Sequence, residues 1–141
     1  MKYLLDTCVL SEFVKPMPEP KVLAWVNARL ETDLYISAIS LAELQRGVAR
    51  LPASRRKSEL ATWLDQLLAG FAGRVLPFTH ETAAYWGETC ARVEANGRTM
   101  AAFDSIIAAT AVEHGMMLVT RNVRDFVMAP LVLRNPWSET D

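Results

Sequence analysis

Cysteine and histidine are scarce in this sequence. The 141 residues contain two of each, with no C-x-x-C pair and no H-x-x-x-H spacing. Zinc ribbons and disulfide-linked scaffolds are therefore excluded, because both need clustered ligands or paired thiols. We expect Cys8 and Cys90 to be small core residues in a reducing cytoplasm.

Long apolar runs and an excess of basic charge are also missing. No apolar stretch approaches the roughly 20 residues that cross a bilayer. The N-terminus lacks the pattern of a signal peptide, so we expect a cytoplasmic protein with no membrane contact. The net charge is −1, so no global positive field attracts nucleic acid. Contacts to phosphates would have to come from local arginines or a bound cation.

Short apolar segments alternate with helical patterns along the chain. Five segments read as strands: KYLL (2–5), LYIS (34–37), RVLPF (74–78), MMLVT (116–120) and LVLR (131–134). The helices predicted between them include 20–30, 59–71 and one that ends on Gly115. Continuously apolar strands separated by helices predict one α/β domain over 1–141, with a mainly parallel central sheet and helices on both faces.

Acidic or amide side chains follow three of these strands. Asp6 closes the first strand, and Glu43 is expected in the first turn of the helix after the second. The fourth strand runs into RNVRDF, which carries Asn122 and Asp125. Because ligands bind beyond the carboxyl ends of parallel strands, these side chains are expected at one edge of the sheet.

Asp104 is a fourth contributor from a different kind of element. It is the only ionisable residue between Arg98 and Glu113, in a helix of small and apolar residues. A lone ionised carboxylate on the buried side would cost several kcal/mol without a partner. It must therefore meet an arginine, be protonated, or share a cation with other carboxylates.

Each acid also has a purely structural interpretation. Asp6 could cap the helix that follows it, since aspartate is a favoured N-cap. Glu43 could close an S-x-x-E capping box with Ser40, and Asp104 could form an internal salt bridge with Arg98. Asp125 could be an exposed residue of a helical turn. The convergence of the acids, rather than any one of them, favours a shared cation.

An all-oxygen ligand set selects a hard cation. Carboxylates favour Mg²⁺, with Mn²⁺ as a second possibility, and they disfavour zinc, which prefers histidine and cysteine. Such an ion keeps several waters and accepts phosphate oxygens from a substrate. The sequence therefore predicts a metal-assisted reaction at a phosphate group.

Four segments also resemble a known family over nearly the whole chain. LLDTCVLSEF, ISAISLAELQRGV, AAFDSIIAATAVEHG and LVTRNVRDF, with LVLRNPW at the end, are similar to those of VapC-type toxins among the PIN-domain ribonucleases. The resemblance implies a single PIN domain over 1–141 and Mg²⁺-dependent hydrolysis of RNA phosphodiester bonds. It assigns Asp6, Glu43 and Asp104 to the metal and the attacking water, and gives Thr120 a supporting hydrogen bond.

The chain departs from the fullest form of that pattern at the fourth acid. Asn122 stands where many relatives carry aspartate, and Asp125 follows one helical turn later. Either Asp125 supplies the fourth carboxylate or the site operates with three, so both residues are candidate catalytic groups. A second metal ion is accordingly less expected than a first.

The resemblance also implies partners. VapC-like toxins form homodimers and are silenced by a VapB-type antitoxin peptide in a heterotetramer or larger complex. The apolar helices 20–30 and 59–71 offer a surface on which an amphipathic antitoxin helix could lie. Five arginines near the acidic segments could contact RNA phosphates: Arg46, Arg50, Arg98, Arg121 and Arg124.

Two other function classes fit parts of the pattern. A non-catalytic PIN-type module that only binds a partner would explain the missing fourth acid. A carboxylate-site phosphohydrolase of the haloacid dehalogenase type would use Asp6 as nucleophile, but it needs a second aspartate two residues later, where Cys8 stands.

Overall fold

The computed structural model describes residues 1–138, and the last three residues of the predicted 1–141 domain lie outside the described part. The strands are β1 (Tyr3–Leu5), β2 (Leu34–Ser37), β3 (Val75–Leu76), β4 (Met117–Val119) and β5 (Leu133–Arg134). The helices are α1 (Thr7–Glu12), α2 (Pro20–Asn27), α3 (Ala38–Ala49), α4 (Arg55–Gly70), α5 (His80–Ala95), α6 (Ala102–His114) and α7 (Val123–Phe126), with a 3₁₀ turn at Glu31–Asp33. All five predicted strands are present.

The five strands form one parallel sheet in the order β3-β2-β1-β4-β5. The chain moves outward from β1 through β2 to β3 and then returns to the other side of β1 as β4. The carboxyl ends of β1 and β4 therefore lie side by side where the direction of winding reverses, which is the usual ligand-binding position in such sheets. The predicted α/β class with a parallel sheet is confirmed.

Both faces of the sheet are buried, as continuously apolar strands require. Leu5 and Leu4, neighbours on β1, belong to two separate apolar clusters. The first cluster includes Val9, Val22, Trp25 and Ile36, and the second includes Ile107, Ala108, Leu118 and Phe126. With β1 packed on both sides, the residue that follows it has a fixed position.

The helix ends differ from the sequence prediction at α2 and α4. The helix predicted over 59–71 begins at Arg55, because Ser54 caps it by accepting from the Lys57 amide, and it ends at Gly70. α6 ends at Gly115 in the left-handed conformation, with φ of 62°, as predicted. The helix predicted over 20–30 ends at Asn27, because the chain tightens at Arg29, whose amide donates to Val26, and then enters the 3₁₀ turn before β2.

Within residues 1–138, no helix combines the length and apolarity needed to cross a membrane.

Candidate active site

Asp6 occupies the end of β1 and is almost completely buried, with 4% of its surface exposed. Its Oδ1 accepts a hydrogen bond from the Thr7 amide at 2.8 Å, so the predicted N-cap of α1 is confirmed. Its Oδ2 accepts from Thr120 Oγ1 at 2.7 Å. Each carboxylate oxygen has two lone pairs, so the cap leaves acceptor capacity for another ligand. The structural and the chemical interpretations of Asp6 are therefore compatible.

Thr120 is the fully buried residue that directly follows β4, and it holds Asp6, which follows the neighbouring strand β1. Besides donating to Asp6, its hydroxyl oxygen accepts from the Asn122 amide at 3.0 Å. One side chain thus fixes both the carboxylate and the start of the segment that leads to α7. This is the supporting hydrogen bond that the resemblance implies.

Glu43 reaches the site from α3. The helix begins one turn earlier than the capping-box interpretation needs: Ser37 is its N-cap and accepts from the Ile39 amide at 3.1 Å. The predicted box between Ser40 and Glu43 is therefore wrong, and Glu43 lies in the second turn rather than the first. Its Oε1 instead accepts from Thr7 Oγ1 at 2.7 Å.

Thr7 links the two acids and was not singled out in the sequence. Its amide binds Asp6, its hydroxyl binds Glu43, and Ser40 Oγ lies 3.0 Å from the same hydroxyl. The signal was its place directly after Asp6, at the first position of a helix. The contact to a residue 36 positions away depends on how α1 packs on α3.

Asp104 lies in the first turn of α6 and is half-buried. Burial, followed in order by the negative charges of Asp6, Asp125 and Glu43, raises the pKa of its carboxyl from 3.8 to about 6. Within residues 1–138, Asp104 forms no ion pair with Arg98 or any other basic residue. The structure thus brings Asp104 into the field of the other three acids rather than against a counter-charge.

Asp125 and Asn122 occupy different surroundings although only three residues separate them. Asp125 lines a cleft of about 240 Å³ together with Asp104 and contributes to the raised pKa of that residue. Asn122 precedes α7, and its side chain makes no capping hydrogen bond. Of the two candidates for the fourth position, Asp125 is the one that lies next to Asp104.

Within residues 1–138, the four acids do not form a closed metal cage. In the described part of the chain, no three side chains of His, Cys, Asp or Glu are close enough together to ligate one ion directly. The donor set still fits Mg²⁺, because this ion is commonly held by one or two carboxylates and completes its octahedron with water. Asp104, with no hydrogen bond or ion pair of its own among residues 1–138, is the carboxylate that most needs a cation.

Cys8 lies beside this site without taking part as a nucleophile. Its Sγ is 3.6 Å from Asp6 Oδ2 and 3.8 Å from Thr120 Oγ1. Burial, helped by the charge of Asp6, raises the pKa of the thiol to about 11, so it is protonated at neutral pH. The side chain two residues after Asp6 is thus a neutral thiol, which cannot replace the acid that the phosphohydrolase alternative requires.

Another acid near the start of the chain, the buried Glu12, has a structural role. It is 3% exposed, accepts from the Glu19 amide at 2.9 Å and pairs with Lys15 at 2.9 Å. Burial alone would raise its pKa, but Lys15 and the Glu19 amide outweigh burial and hold the pKa below its usual range. Glu12 therefore holds the proline-rich segment between α1 and α2 in place. Within residues 1–138, Asp104 has no basic side chain or amide donor that offsets the cost of its burial in this way.

Comparison with known proteins finds a matching family and several similar proteins. The PIN domain family matches residues 3–128. Toxin FitB of Neisseria gonorrhoeae is 40% identical, over 96% of this chain and 99% of its own. VapC ribonuclease Y4jK of Sinorhizobium fredii is 41% identical, over 95% and 96%. The crystal structure of FitAcB from Neisseria gonorrhoeae superposes with a TM-score of 0.93 at 40% identity, covering 97% of this chain and 99% of that one.

Proposed function

Because the chain belongs to the PIN domain family, beside VapC- and FitB-type proteins, we propose that it is the ribonuclease toxin of a type II toxin–antitoxin module. It hydrolyses RNA phosphodiester bonds. The observation that carries this proposal is that the charges of Asp6, Asp125 and Glu43, which come from other parts of the fold, act on the half-buried Asp104 and raise its pKa. A toxin and a ribonuclease, each about 40% identical over nearly the full length, support the same reading.

The proposed cofactor is Mg²⁺, with Mn²⁺ as a substitute. One or two of Asp6, Glu43 and Asp104 would contact it directly and the rest through its waters, with Asp125 as the fourth carboxylate. When bound, the ion supplies an acidic water and neutralises charge on the leaving oxygen. This choice is supported by the all-oxygen ligand set and by the absence of any ion pair to Asp104 within residues 1–138.

The protein's own groups set the geometry of the reaction. Thr120 and the Thr7 amide hold both oxygens of Asp6, and the Thr7 hydroxyl holds Glu43, so neither carboxylate turns away when substrate enters. Near-complete burial of Asp6 excludes bulk water from that side. Preorganised groups of this kind avoid a reorganisation cost during reaction.

A VapB-type antitoxin is the proposed partner. A groove of about 420 Å³ runs between α1, α2 and α4 and is lined largely by apolar side chains, among them Leu10, Phe13, Val26, Trp63 and Leu67. Its apolar walls suit the hydrophobic face of an amphipathic helix. We further propose that the toxin forms a homodimer, and a heterotetramer or larger assembly with the antitoxin.

Cleavage of RNA by point variants tests this function. Asp6→Asn and Asp104→Asn should each lower Mg²⁺-dependent cleavage at least 100-fold, because a neutral amide cannot hold the ion or its water. Asp65→Asn, an exposed site on α4, is the matched control. Circular dichroism verifies folding, and mapping of product ends should find 5′-phosphates and 3′-hydroxyls. Undiminished cleavage by either site variant would remove the assigned site.

A further inference from the structure

A cleft adjoins the acidic site on the side of Asp104 and Asp125. It is bounded by the α5–α6 connection, the start of α6 and α7, and encloses about 240 Å³. Its walls include Arg98 and Thr99 from the connection and Arg124 from α7. Asp6 and Glu43 do not line it, so it extends the site in one direction only.

Within residues 1–138, the side chains of the two arginines in this cleft form no hydrogen bond or ion pair with other protein groups. Arg98 and Arg124 lie 26 positions apart in sequence and come from different elements, yet they face the same space. Neither forms an ion pair within residues 1–138, although two carboxylates line the same cleft. Their guanidinium groups therefore remain available to a ligand, and a guanidinium binds phosphate oxygens in a two-pronged fashion.

Among the five arginines near the acidic segments, these two are distinguished by position. Arg121 packs over the ring of Trp137, at 5.6 Å from its centroid. Arg46, in the second half of α3, and Arg50, which caps the end of that helix, do not line this cleft. Of the five, Arg98 and Arg124 are the two that line the cleft of Asp104 and Asp125.

We propose that this cleft binds a non-scissile phosphate of the RNA chain, next to the phosphate that reacts at the acids. The inference rests on the proposed ribonuclease function and adds a substrate subsite to it. A nucleic-acid backbone repeats its negative charge at every nucleotide, so a chain whose scissile phosphate lies at Asp104 carries the next phosphate into the adjacent space. Continuity with Asp104 favours RNA over an acidic peptide segment as the occupant.

Salt-dependent RNA binding tests the subsite directly. Binding of a 12-nucleotide single-stranded RNA of mixed sequence is measured with EDTA present, across a series of NaCl concentrations. Arg98→Gln and Arg124→Gln should each weaken binding about 3- to 10-fold and lower the slope of log K against log salt by about 0.7, the value for one lost phosphate contact on a single strand. Arg55→Gln, on a side chain that is 93% exposed on α4, is the control and should change neither quantity.

Cleavage kinetics supply a second readout. Arg98→Gln should raise KM several-fold while kcat changes less than twofold, because the residue binds substrate without touching the reacting phosphate. Arg98→Lys keeps the charge and should retain the salt slope, which separates charge from packing. A loss confined to kcat would mean that the arginine acts by positioning Asp104, and the subsite would be refuted.

The outcomes separate this inference from the function on which it rests. If the wild type binds and cleaves RNA but the two variants keep the salt slope of Arg55→Gln, the subsite is wrong and the ribonuclease assignment stands. If the variants bind RNA normally but lose affinity for the antitoxin, the cleft takes an acidic peptide instead. If the wild type neither binds nor cleaves RNA, the proposed function itself fails.

Discussion

Replacing Asp104 by asparagine should stabilise the metal-free protein at neutral pH. In the folded chain, burial and then the charges of Asp6, Asp125 and Glu43 raise its pKa from 3.8 to about 6. The folded state therefore binds the proton more tightly than the unfolded state, and stability falls as the pH rises from about 4 to about 6. Above about pH 6 the carboxylate is ionised in the folded protein, and its burial and repulsion then lower the stability by their full amount.

The magnitude follows from the size of the shift. A change from 3.8 to about 6 corresponds to about 3 kcal/mol at full strength. Because the carboxyl is only half-buried, solvent screening reduces this to about 1–2 kcal/mol. For a domain of this size, Asp104→Asn should then raise Tm by about 3–8 °C at pH 7.5 in EDTA. About half of that gain should remain at pH 5, since part of the wild-type population is already protonated.

Thermal unfolding followed by circular dichroism measures this effect, with Asp65→Asn as a surface control. Added Mg²⁺ should stabilise the wild type and leave Asp104→Asn nearly unchanged, because an ion that binds only the folded state raises stability by mass action. A variant that is no more stable than the wild type at pH 7.5, or whose gain is the same at pH 5, would refute the repulsion argument. Asp6 offers no equally clear test, because its substitution also disturbs the α1 cap and the Thr120 hydrogen bond.

Three further predictions concern the site and the end of α6. Thr120→Val should cost about 1–3 kcal/mol of stability in urea unfolding, because it removes the hydroxyl that serves both Asp6 and the Asn122 amide; Thr120→Ser should restore most of it. Asp125→Ala should reduce RNA cleavage at least tenfold, whereas Asn122→Ala should change it less than threefold, and equal rates for the two would remove Asp125 from the site. Gly115→Ala should lower stability by about 1–2 kcal/mol because φ is 62°, and unchanged cleavage per folded molecule would show that the effect is confined to the end of α6.

Much of the fold could be predicted because its signals are local. Continuous apolar runs, rather than alternating ones, identified strands buried on both faces, and a glycine after an apolar helix marked the end of α6. Helix boundaries were less accurate, since the chain leaves α2 early to enter the turn before β2. Helix propensity favours a longer α2, but the chain must turn to reach β2, and this tertiary constraint ends the helix early.

The candidate acids could also be chosen from the sequence. The sequence could not decide whether each acid has a local structural role instead, such as capping a helix. Asp6 follows an apolar strand and Asp104 interrupts an apolar helix. Burying a carboxylate at either position costs free energy, so both positions indicate a functional role. Whether Glu43 closed a capping box depended on the first residue of α3, which a pattern of four letters does not fix. Ser37 and Ser40 are equally good caps in sequence, and only one begins the helix.

The sequence alone determined which residues are costly to bury, because that cost depends on residue type and immediate neighbours. The tertiary structure decided what those residues meet. Thr120 donates to Asp6 across 114 positions and Thr7 to Glu43 across 36. These contacts, and the shared cleft of Arg98 and Arg124, arise from the order of the strands in the sheet and the packing of helices over it, which no local pattern encodes.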